Sequence, residues 1–177
     1  WLENFKGDEE KLYALFLLSR MMYFTSFNIR NLLKALYRDL YRYPIIESIR
    51  QKNGDTLDEA TIERLFDEHL NQTIFLGIGQ ASESGEFLTY YFRQENKLSK
   101  YRFATIQEIV EKDSSGYYKL KPKYSSIRHF VFIDDVCGSG SQATNNESGM
   151  RNLVIQLRSI DPRFQISYYM LFAKSSG

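Results

Sequence analysis

The sequence has 177 residues, 43% of them hydrophobic and 15% aromatic, enough to build a sizeable core and to exclude an intrinsically disordered segment. Lys and Arg number 23 against 22 Asp and Glu, so no overall field gathers nucleic acid or an acidic membrane. The single cysteine, Cys137, excludes an internal disulfide and a cysteine zinc cage, and no apolar run reaches the ~18 residues of a membrane span; both point to a cytoplasmic protein with no membrane partner.

Apolar residues cover more than one side of residues 8–22, which predicts a helix covered on several faces. A second helix is expected over 26–42, with Ile29, Leu32, Leu33, Leu36 and Leu40 on one stripe and Pro44 opposing its continuation. Within it, Tyr37/Tyr41 and Arg38/Arg42 lie four residues apart, the spacing of a solvated helix face or of an RNA-contacting strip. Asn53-Gly54-Asp55 is turn chemistry, and Thr56 to Glu59 has the form of a capping box opening a third helix that carries Ile62, Leu65, Phe66 and Leu70.

The pattern then changes. A strand is expected at 73–79, a helix at 84–96, strands at 101–106 and 129–135, a helix marked by Met150, Leu153, Val154 and Leu157, and a strand at 164–173. Alternation of this kind favours right-handed crossovers and a parallel sheet, whose ligands sit beyond the carboxyl ends of the strands. Residues 107–127 are read as a long loop, either a lid or binding element, or else a disordered solvent loop or small hairpin. The expected organisation is an N-terminal helical region, 1–70, and an α/β domain, 71–177, read as incomplete at its C-terminus.

The stretch HFVFIDDVCGSGSQA (129–143) carries the chemistry. Val131, Phe132 and Ile133 belong inside a sheet, and Asp134 and Asp135 emerge at its carboxyl end. Adjacent residues of a strand point to opposite sides, so the two carboxylates have different partners. An ionised carboxylate accepts two hydrogen bonds, and a ribose diol offers two donors. Gly138-Ser139-Gly140-Ser141 supplies backbone amides and hydroxyls without bulk, a concave anion cradle suited to phosphate. Together they describe a site for a ribose 5-phosphate group. Cys137, beside the acidic pair, fits a small apolar packing residue better than a nucleophile, and His129 is either an edge residue or a ligand-facing base.

An apolar strand, Asp-Asp, two residues and a Ser-Gly turn resemble the phosphoribosyl-diphosphate (PRPP) motif of type I phosphoribosyltransferases. The resemblance implies a phosphoribosyltransferase-type parallel sheet, with Asp134 and Asp135 as catalytic residues on the ribose hydroxyls and Gly138, Ser139, Gly140, Ser141 and Gln142 around the 5-phosphate. It places Gln80, Ala81, Ser82, Glu83, Ser84 and Gly85 at the diphosphate, and residues 107–127 in the position of the flexible catalytic loop, with Lys119, Lys121 and Lys123 beside the departing diphosphate. Arg93, Lys97, Lys100 and Arg102 are further basic candidates. Mg²⁺ is the implied cofactor, bound mainly through substrate, and no metal site made by the protein itself is expected. The sequence departs from the family at Gly138 and Gln142, where threonine is usual, and at ATNNESG (143–149), a poor helix start. The GSGSQ variant and helical leader look most like the phosphoribosyltransferase-like branch of prokaryotic conflict and antiphage systems. That implies either a phosphoribosyl transfer or a non-catalytic sensor of PRPP or nucleotide within a defence complex, with RNA as a weaker partner.

Overall fold

In the computed structural model, residues 1–78, 84–137 and 150–173 are described, without the side chains of 84–86 and 137. Helices α1 (Asp8–Arg20), α2 (Ser26–Leu36), α3 (Tyr43–Lys52) and α4 (Glu59–Asn71) come first. They lead into β1 (Thr73–Gly77), α5 (Ser84–Glu95), a one-turn helix α6 (Ile106–Ile109) and the short strands β2 (Val110–Lys112) and β3 (Tyr118–Leu120). The chain continues through β4 (His129–Cys137), α7 (Met150–Ile160) and β5 (Gln165–Ala173).

The main sheet is parallel with order β1-β4-β5, so β4 is its middle strand. Its strands are apolar on both faces because both are covered, as parallel sheets require. On one face Phe75, Val131 and Ile133 pack with Leu33, Leu36, Tyr41, Phe66 and Phe92 from the helices. On the other, Ile74, Leu76, Phe130 and Phe132 pack with Ile109, Tyr124, Leu157 and Phe164. Helices α2, α3 and α4 and the sheet therefore share a core.

Three local features differ from the expected elements. Pro44 does not end the second helix. A π-helical turn, Tyr37–Arg42, joins α2 to α3, and the Tyr43 N–H donates to the Arg38 carbonyl five residues back. Proline cannot donate and its ring crowds the preceding turn, so the wider turn absorbs it and leaves it in the first turn of α3. Secondly, α4 is capped by Asp58, whose carboxylate accepts from the Thr61 N–H at 2.9 Å, while Thr56 Oγ1 accepts from the Asp58 N–H at 3.2 Å. The cap thus lies two residues beyond the expected box.

Thirdly, 101–106 is not a full strand. A Ser99-capped 3-10 turn (Lys100–Arg102) precedes it, and a capping box of Thr105 and Glu108 opens α6. Between these competing caps Phe103 makes a single parallel bridge to Phe75. The segment 107–127 contains the antiparallel β2-β3 hairpin, the small-hairpin alternative. Asp113 ties its turn by accepting from the Ser115 and Tyr117 amides, and Gly116 supplies the required φ of +83°.

Candidate functional site

Pairing of β1 with β4 stops at Gly77↔Ile133, so Asp134 and Asp135 are the first residues of the middle strand to project past β1. Strand alternation sends them to opposite faces: Asp134 follows Phe130 and Phe132, and Asp135 follows Val131 and Ile133. Alternation aims the two side chains at opposite faces, yet the carboxyl groups still act on each other across the one-residue step.

Asp134 is 4% exposed. Its Oδ1 accepts from the Asp135 N–H at 2.9 Å, and its Oδ2 accepts from the Tyr168 hydroxyl at 2.6 Å. Burial pushes its pKa up, against the lowering effect of these two donors, and the neighbouring Asp135 carboxylate adds to the rise. Asp135 is half-buried; its Oδ1 accepts from the Val136 N–H at 2.8 Å, and its carboxyl group also interacts with that of Asp134. Asp134 is thus held in place, while Asp135 has more capacity to accept hydroxyls from a ligand.

Tyr168 was hidden within the strand run FQISYYMLFA. Its register opposite Phe132 puts its hydroxyl on the face that carries Asp134. A tyrosine in a predicted parallel neighbour, two positions before an emerging aspartate, was the available signal.

Gln80, Ala81, Ser82, Glu83, Gly138, Ser139, Gly140, Ser141 and Gln142 lie outside the described residues. Ser84 and Gly85 begin α5. The Cys137 backbone pairs with Ala173 at the end of β4.

The basic candidates have internal contacts. Lys119 pairs with Glu111 at 3.3 Å, Lys121 Nζ donates to the Gln107 carbonyl at 2.9 Å, and Lys123 Nζ reaches the Tyr124 hydroxyl at 3.4 Å. Arg102 donates to the Leu70 carbonyl and to Asn71 Oδ1, satisfying the end of α4 next to the start of β1, away from the aspartates. Arg93 and Lys100 lie over the rings of Tyr90 and Tyr101. Lys97 is exposed at a positive φ of 53°.

Tyr37 and Tyr41 do not form a solvated strip. Tyr41 is fully buried and donates to Thr73 Oγ1 at 2.8 Å, and Tyr37 stacks on it with centroids 5.4 Å apart. Arg38 pairs with Asp39, and Arg42 lies over Phe66. The π turn helps place both rings against the sheet, leaving them unavailable for base stacking.

His129 is neither an edge residue nor beside the aspartates. It starts the middle strand, roughly 17 Å from Asp134 at the usual rise per residue, and is 2% exposed. Its Nδ1 lies 3.2 Å from His69 Nε2, and its Nε2 lies 2.9 Å from Ser167 Oγ. Burial, with a smaller contribution from His69, pushes its pKa down to about 4; burial and the Lys52 charge lower that of His69. The pair is a neutral polar core at the amino end of the sheet.

Among the described residues, no group of three or more His, Cys, Asp and Glu could hold a metal ion. No helix among the described residues is long and apolar enough to cross a membrane.

A parallel α/β sheet whose middle strand ends in paired aspartates, with helices on both faces, has the form of a phosphoribosyltransferase-like protein. The PRTase-CE family model matches residues 1–177, and the chain belongs to that family. Searches of curated proteins and of solved structures find no match.

Proposed function

We propose that the chain binds PRPP, or a closely related ribose 5-phosphate ligand, at the carboxyl end of β4. The observation that carries this reading is the asymmetric pair: a buried Asp134 fixed by Tyr168 and the Asp135 amide, beside a half-buried Asp135 that is closer to solvent. Asp135 accepts from one ribose hydroxyl, Asp134 completes the diol contact through its remaining lone pairs, and the Gly138 to Gln142 segment takes the 5-phosphate. Mg²⁺ brought in on the diphosphate would offset its negative charge. If transfer follows, the anomeric C–O bond to diphosphate breaks as an acceptor bonds to the same carbon, and the fixed ribose lowers the entropic part of that barrier. The proposed setting is a prokaryotic antiphage system, supported by the GSGSQ turn and helical leader.

A second reading, a non-catalytic PRPP or nucleotide sensor, is favoured by the engagement of Lys119, Lys121 and Lys123 within their own segment. Calorimetry with PRPP and Mg²⁺, paired with diphosphate release over a panel of bases, nucleotides and RNA, separates the two. Binding with release supports transfer; binding without release supports sensing. Removing the Asp135 charge by Asp135→Asn is expected to weaken binding about tenfold to a hundredfold, the range of one lost charge-assisted hydrogen bond. Unchanged PRPP affinity in both Asp134→Asn and Asp135→Asn would remove the pair from the site.

A further inference from the structure

Helix α1 is exposed on nearly every side. Ala14 is its only buried residue, whereas Leu12, Tyr13, Phe16 and Leu17 retain 55–67% of their surface. The following segment continues the patch, with Met21, Met22, Tyr23 and Phe27 at 62–80%. Taking roughly 150–250 Å² for a whole aromatic side chain and somewhat less for Leu or Met, the patch amounts to something on the order of 1,000 Å². A stable protein interface takes about 800 Å² from each partner. A helix apolar all round is normally buried, so this one lacks a neighbour of about that size.

The order of residues along α1 indicates which neighbour fits. Glu9, Tyr13, Phe16 and Arg20 follow one another at spacings of four, three and four, forming a single stripe on the side turned away from Ala14. Read backwards, the stripe complements itself. In an antiparallel pair of α1 helices about a two-fold axis, Glu9 faces Arg20 of the other copy and Tyr13 faces Phe16, and each contact occurs twice. Opposed helix directions also bring the acidic first turn of Asp8, Glu9 and Glu10 to the negative-dipole end that carries Arg20. Among the described residues neither Glu9 nor Arg20 has an ion-pair partner, and Arg20 rests over its own Phe16 ring, 5.2 Å from the centroid. Interfacial membrane helices instead segregate Lys and Arg on a polar face opposite the apolar one. Acidic residues in the first turn and apolar residues on all sides do not fit that chemistry.

We infer that α1 and the segment following it are a homodimer interface, in which a second copy of this chain packs its α1 antiparallel to the first. This holds whether or not the aspartate pair binds PRPP.

Sedimentation velocity of the chain, from about 1 to about 100 µM, tests it, because an interface of this size without tight anchors dissociates in that range. The expected species at the upper end has twice the 20.9 kDa monomer mass. Phe16→Glu is expected to give monomer with an unchanged circular dichroism spectrum. Arg20→Glu is expected to weaken association about tenfold, since the two-fold axis applies each charge reversal twice, and adding Glu9→Arg restores it. A monomer at every concentration overturns the inference, as does a dimer indifferent to Phe16→Glu or to the charge exchange. Flotation with lipid vesicles by a chain that stays monomeric would also overturn it, by assigning the patch to a membrane.

Discussion

Acidification should destabilise this protein through its buried histidine pair. His129 is interior to the sheet, and the groups facing it are His69 from α4, Ser167 from β5, and the Tyr41 ring, 5.7 Å away and nearly parallel. Tyr41 itself donates to Thr73, which donates to the His69 carbonyl at 3.0 Å. No carboxylate bonds to either imidazole among the described residues, so an added proton meets dipoles, another ring and, from His69, the Lys52 charge. Folding therefore lowers the His129 pKa from 6.5 to about 4. The unfolded chain binds the proton more readily, so the histidine's contribution is fully present above pH 6.5 and is lost as pH falls toward 4. At ~1.36 kcal/mol per pKa unit the loss reaches about 3 kcal/mol near pH 4 and about 2 kcal/mol already at pH 5. The lowered His69 adds to it in the same direction. Asp134, whose folded pKa is raised, has the opposite sign and gains relative stability on acidification, so the histidine effect must be isolated by difference. Urea unfolding curves at intervals from pH 7.5 to 4.5, for the native sequence and for His129→Gln, supply that difference. The variant should be less stable at neutral pH and should lose less on acidification. Equal pH slopes in the two proteins would refute the assignment of the buried pair as the acid-labile element.

Other outcomes follow from packing and from the site. Tyr168→Phe removes the donor that holds Asp134 Oδ2, so the carboxyl pKa should rise further, as read by NMR titration, with a stability loss of about 1–2 kcal/mol in chemical denaturation. Phe75→Ala, at the centre of the ring cluster formed with Tyr41, Phe92 and Phe103, should cost about 3–5 kcal/mol in the same assay. Lys119→Ala and Lys121→Ala should leave PRPP binding within about twofold, because these groups are engaged by Glu111 and the Gln107 carbonyl; a loss beyond tenfold in calorimetry would place the hairpin on the ligand.

Much of the fold was legible because periodicity reports burial. The stripe in α2, the run TIFL and the run HFVFI are apolar in the way that packed helices and doubly covered strands require, and they became α2, β1 and the middle strand. The acidic pair was visible for the same reason: two adjacent carboxylates late in an apolar strand mark where the purely apolar packing stops, although Asp134 stays buried against Tyr168. What one sequence could not give was the outcome of competition between neighbouring signals. Ser99 and Thr105 capped turns on either side of Phe103 and left one bridge where a strand was expected. Pro44 was expected to stop the second helix, yet it sits in the first turn of α3 because a π turn before it absorbs the missing donor.

Contacts between residues distant in sequence were decided only by the tertiary structure. His69 and His129 are 60 residues apart, and Tyr168 is 34 residues beyond Asp134; sheet register brings the members of each pair together. Likewise, Tyr41 looked like part of a solvated face until the turn of the helix placed it against β1. Local pattern fixes which residues must leave water, but the partner each one meets depends on how the strands align, and that is a property of the assembled chain.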